Sequence, residues 1–255
     1  MPALGMVGLV NAEARKTSST AAWWALLIPA VLLCLLVTAI SESSAAVAVA
    51  KALVFVAPFA AVFGVVCAAA EFSHRTITTS YLTAPGRAQL VLAKVALAAG
   101  VGAGYALVCV PFGLLGIVLG GNEMGSGAFS TVLGLTLVGM VVYALWAIVG
   151  VGIGMLIGNQ IAAVLTVVLY LTLVELIVEL MAIWVFSLEN VREFLPKGSA
   201  DQTLAGFAGD VSIDRLLEAP TLDVTPWWVT LLVFCGYAAV AVLGGIAGAQ
   251  HRDIT

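Results

Sequence analysis

Charge is what this sequence has least of. Asp, Glu, Lys and Arg supply 9% of its 255 residues, while 62% are hydrophobic. A soluble domain carries about 25% charged residues, so this chain has too few to cover a water-facing surface. The composition therefore predicts an all-α polytopic membrane protein. An excess of basic residues is also missing. A net charge of -4 argues against nucleic acid as a partner. The four cysteines, Cys34, Cys67, Cys109 and Cys235, all lie inside apolar runs and read as small buried hydrophobes, not as a disulfide framework or metal site. Neither His74 nor His251 has a partner at metal-ligand or triad spacing. None of the four lysines follows a glycine, so a phosphate-binding Walker A loop is excluded. No enzyme constellation is expected, and any nucleotide energy would come from another chain.

What is present is a series of long apolar runs. Six spans are expected, over 21–40, 47–70, 90–119, 129–157, 161–186 and 226–249. In lipid each must be helical, because a helix satisfies its own backbone hydrogen bonds. The first run follows Arg15 and Lys16 and has 20 residues without a charge. A cleaved signal has an apolar region of roughly 7–15 residues, so a retained span is expected instead. Residues 6–16 mix apolar and charged positions, which fits either an interfacial amphipathic helix, taken over 3–18, or a frayed terminus. Pro29, Pro58 and Pro111 fall inside spans and are expected to kink them.

An even number of spans puts both termini on one side. That side holds Arg15, Lys16, Arg75, Arg87, Lys94 and Arg252, against the acids Glu13, Glu71 and Asp253. The other holds Lys51, Arg192, Lys197 and Arg215 beside nine acids, from Glu42 to Asp223. The positive-inside rule makes the first side cytoplasmic. The long outer connection, 187–225, has apolar stretches and is expected to pack on the membrane surface.

Three features stand out. The polar segment Glu71-Phe-Ser-His-Arg-Thr-Ile-Thr-Thr-Ser-Tyr-Leu-Thr-Ala-Pro-Gly-Arg87 separates the second and third spans. Glu71 and Arg75 are one helical turn apart and can pair, and Pro85-Gly86 ends any helix there. A short helix along the cytoplasmic face and an ordinary capped loop both fit. Second, Glu175 and Glu179 lie in the fifth span at a spacing that puts both carboxylates on one face. Charged groups in a span mark either a path through the bundle or a helix reaching the outer interface. Third, glycines recur at four-residue spacing, as at Gly100 and Gly104, Gly116 and Gly120, Gly150, Gly154 and Gly158, and Gly244 and Gly248. This spacing serves tight packing inside the bundle or contact with a second copy.

Taken together, the segments resemble the membrane permease of ABC type-2 exporters, especially the actinobacterial drug-export type. Asn11-Ala-Glu-Ala-Arg-Lys-Thr17 before Trp23-Trp24 is similar to that family's N-terminal elbow helix. The 71–87 segment, followed by Lys94, is similar to its acidic, basic, Thr-rich, Pro and Arg signature. Gly154-Met-Leu-Ile-Gly-Asn-Gln160 resembles the turn between its fourth and fifth spans, although Gly158 stands where the family often has arginine. Phe194-Leu-Pro-Lys-Gly-Ser199 resembles its outer Leu-Pro motif.

The resemblance implies a six-span type-2 exporter fold with an elbow helix, a coupling helix and re-entrant outer helices, in a bacterial cell membrane with both termini cytoplasmic. It implies two paired permeases, each contacting an ATP-binding subunit that carries the ATP and Mg, and a hydrophobic drug or lipid as cargo. Glu71, Arg75, Thr76, Ile77, Thr78, Thr79, Ser80 and Tyr81 would couple to the ATPase, and Glu175 and Glu179 would lie near the path. Two other classes fit the same composition: a non-transporting membrane anchor or immunity subunit, and an ion-coupled transporter using Glu175 and Glu179.

Overall fold

The computed structural model describes residues 5–73, 86–121, 128–186, 191–209 and 225–251. These are helical almost throughout, with no strand among them. Helix α1 runs Met6–Ser19, α2 Ala22–Ala39, α3 Ala45–Ser73, α4 Arg87–Leu119 and α5 Ala128–Ile157. A single long helix follows, made of α6 (Gln160–Leu169), a π turn (Tyr170–Val174) and α7 (Glu175–Phe186). A 3-10 turn at Val191–Phe194 leads into α8 (Pro196–Phe207), and α9 covers Trp227–His251. Six helices are long and apolar enough to cross a membrane, and they coincide with the six expected spans within a few residues.

Local chemistry sets the boundaries. Helix α1 stops where Ser18, Ser19 and Thr20 turn their hydroxyls back onto the carbonyls of Arg15, Lys16 and Thr17. These bonds satisfy carbonyls that the last turn leaves without partners. Helix α5 ends at Gly158, whose φ of 65° is left-handed backbone that favours glycine. An arginine there would be strained, which accounts for the glycine at this position. The next residue starts α6: Asn159 Oδ1 accepts from the Ala162 N–H at 3.0 Å. Helices α2, α3 and α4 continue through Pro29, Pro58 and Pro111.

Helix α3 is the central element. It packs on α5, α2 and α4, and α5 in turn packs on α4 and α9. The core is rich in alanine, with Tyr105, Tyr143, Phe63 and Phe234 filling the gaps. Lipid tails are as apolar as these side chains, so close backbone approach replaces hydrophobic drive as the source of cohesion. A Cβ built on Gly150 would stand 2.1 Å from the Ala61 carbonyl oxygen, and one on Gly116 would stand 2.4 Å from that of Leu35. These glycines serve packing inside the bundle. Gly100, Gly104 and Gly244 do not, since a Cβ at any of them would meet nothing within 4 Å.

Two ends of the bundle emerge. One gathers α1, the end of α3, the start of α4, the α5–α6 turn and the end of α9. There, Arg87 donates to the carbonyls of Ala249 and Gln250, both at 3.1 Å, capping the end of α9. The other end carries α8, seated against α9, α3 and α5.

Candidate functional site

At the α1 end, four charged side chains from three helices meet. Lys94 Nζ lies 2.7 Å from Glu13 Oε2 and 3.0 Å from Glu71 Oε1. Lys16 Nζ lies 2.7 Å from Glu13 Oε1 and 2.7 Å from Glu71 Oε1. Lys94 is fully buried, Glu13 and Glu71 nearly so, and Lys16 reaches solvent. Two acids and two bases thus neutralise one another where an isolated charge could not remain. Burial alone would lower the Lys16 pKa, but its bonds to Glu13 and Glu71 outweigh that and raise it above the ordinary 10.5.

Lys94, one of the bases on the more positive side of the charge map, is the buried centre of an ion cluster. Glu71 binds lysines from α1 and α4, while its expected partner Arg75 lies outside the described residues. Glu13 and Lys16 belong to the cluster and were not singled out as site residues. One signal pointed that way. Lys94 sits well inside an apolar run, and an ionisable group there needs a partner. Which acids serve it depends on tertiary packing.

Of the expected coupling residues, only Glu71 is among those described. Arg75, Thr76, Ile77, Thr78, Thr79, Ser80 and Tyr81 lie outside the described residues, as does the predicted helix through them. The two helices leading into that connection, α3 and α4, are fastened to each other and to α1 by the ion cluster.

At the opposite end, Glu175 and Glu179 do share a face, and both are engaged. Glu175 is only 4% exposed. Its carboxylate accepts the backbone N–H groups of Lys197 at 3.0 Å and Gly198 at 2.6 Å, at the start of α8. A carboxylate is well placed there, because the first turn of a helix presents free N–H groups and positive partial charge. Glu179 lies 3.9 Å from Arg192, at the limit of an ion pair. Lys197 reaches along α8 to Asp201 at 2.9 Å. Burial holds the Asp201 carboxyl above its ordinary pKa of 3.8, with Lys197 opposing the shift. Helix α8 thus adds Lys197, Gly198 and Asp201 to the two expected acids.

The chain matches no protein-family model and no curated protein.

Proposed function

We propose that this chain is the membrane permease subunit of an ABC type-2 exporter. It would move a hydrophobic small molecule, drug or lipid out of a bacterial cell with ATP hydrolysed on a separate subunit. The observation that carries the reading is the ion cluster of Glu13, Lys16, Glu71 and Lys94. A polar connection that transmits force must be gripped at both ends, or its movement dissipates in its own stems. Here α3 enters the connection and α4 leaves it, and both are tied to α1 by charges held out of water. Such contacts are costly to break one at a time, at about 3–5 kcal/mol for a buried pair. A push on residues 74–85 would therefore reach the bundle through three helices together.

In this reading the α1 end faces the cytoplasm and α1 is the elbow helix. Glu71, Arg75 and the Thr76–Tyr81 stretch form the docking element for the ATPase. Helix α8 is the outer, re-entrant element, and a second permease, alike or related, completes the path. The ion-coupled alternative needs Glu175 free to load a cation, whereas its two oxygens are occupied by α8 N–H groups. The test is Arg75→Glu in a purified complex with the ATP-binding subunit. The reading expects a folded permease that loses the ATPase or fails to stimulate it. Unchanged recruitment and export would count against it.

A further inference from the structure

The fifth crossing helix is interrupted at one place, the π turn Tyr170–Val174, directly before Glu175. Its effect follows from helix geometry. Buried positions on this helix recur every four residues, at Ala163, Val167, Leu171 and Glu175. In an unbroken α-helix, at 100° per residue, Glu175 would stand about 120° away from Ala163 around the axis. A π turn holds one extra residue, so the helix beyond it faces as though one residue had been removed. The offset falls to about 20°, and Glu175 comes to lie on the packed side. The Glu175 N–H donates to the Tyr170 carbonyl, the five-residue bond that defines the turn. Thr172 donates its hydroxyl to the Val168 carbonyl at 2.8 Å, giving that carbonyl a partner independent of the backbone pattern.

The contacts of α8 are lopsided. Toward α9 they are numerous and mostly uncharged: Thr203 to Thr230 at 2.9 Å, and Phe207 edge-on to Trp227 at 5.3 Å between ring centroids. The 3-10 turn before α8 joins the same unit, since Tyr237 donates to the Phe194 carbonyl at 2.9 Å. Toward α7 they include the Glu175 carboxylate on Lys197 and Gly198, and the long Glu179–Arg192 approach. Gly198 lets the 3-10 turn fold closely onto the start of α8, because a Cβ there would lie 1.9 Å from the Arg192 carbonyl oxygen.

We propose that Glu175 is a clip joining α7 to the α8–α9 unit, and that the π turn is the register switch that closes it. When Tyr170–Val174 relaxes to α-helical form, Glu175 swings about 100° off the start of α8, and α8, still seated on α9, α3 and α5, is released from α7. The inference goes beyond the exporter reading and stands on packing alone.

The test is site-resolved amide exchange of the full chain in lipid nanodiscs, read at Lys197 and Gly198. Glu175→Gln removes the charged acceptor, and exchange at both amides should rise at least tenfold, while Thr203–Phe207, held by α9, stays within twofold. Thr172→Val removes the hydroxyl that supports the π turn at native length, and exchange at the same two amides should rise about fivefold. Deleting Leu173 leaves one residue fewer and a plain α-helix with Glu175 still facing α8. It should lock the clip, with exchange at or below the native rate and insensitive to Thr172→Val. If the deleted chain does not assemble, the two substitutions decide alone. Unchanged exchange in Glu175→Gln overturns the clip, and unchanged exchange in Thr172→Val overturns the switch. Loss of protection along all of α8 overturns the α8–α9 unit.

Discussion

Lys94 and Glu71 stand 3.0 Å apart at opposite ends of the connection between α3 and α4. Lys94 is wholly buried, so the pair is a structural fastening and not a surface decoration. Glu13 and Lys16 extend it to α1. The stems of the polar segment are thereby joined into one body.

The first prediction concerns this fastening. Lys94→Met leaves Glu13 and Glu71 facing each other without their buried cation, and should destabilise the protein by about 3–5 kcal/mol. Lys16→Met should cost far less, because Lys16 is half exposed and water can screen what it leaves. Unfolding midpoints of the purified protein in one detergent would rank the two. Equal losses would mean that burial of Lys94 does not set the strength of the cluster.

The pH dependence follows from Lys16. Its folded pKa lies above 10.5, so its stabilising contribution is complete below that value. That contribution fades only as pH climbs through the folded pKa. A spin label on Asn11→Cys should therefore report an immobile α1 from neutral pH up to at least 10.5, and increasing mobility only above it. Lys16→Arg should push the onset higher, since a guanidinium stays charged past pH ~12. An onset near neutral pH would exclude Lys16 as the controlling group.

Glycines of one spacing should behave in two ways. Gly150→Ala pushes a methyl into the Ala61 carbonyl, 2.1 Å away, and overpacking of this kind costs about 1–3 kcal/mol. Gly100→Ala meets open space and replaces a poor helix former with the best, a gain of up to about 1 kcal/mol. Thermal unfolding of both variants checks the contrast. A destabilising Gly100→Ala would point to a packed partner on that face.

Much of this fold was legible because lipid imposes simple rules. The six spans follow from apolar length alone, which also leaves a turn between 157 and 161, whereas the left-handed Gly158 and the Asn159 cap there emerge only in the structure. The shared face of Glu175 and Glu179 follows from their spacing. What those acids touch was not legible, because α8 arrives from a connection whose course depends on tertiary packing. The π turn was hidden too, since Tyr170–Val174 is an ordinary apolar stretch, and only the demand to keep Glu175 on the packed side distinguishes it. The partners of Lys94 were not legible either, because they are 23 and more positions away in sequence.

The most direct test of the central claim is transport by the chain reconstituted with its ATP-binding subunit in sealed vesicles. A fluorescent hydrophobic compound should move when ATP and Mg are supplied on the α1 side. Movement should stop with vanadate or with Arg75→Glu, and persist when proton and sodium gradients are collapsed. Movement that follows those gradients and ignores vanadate would contradict the account.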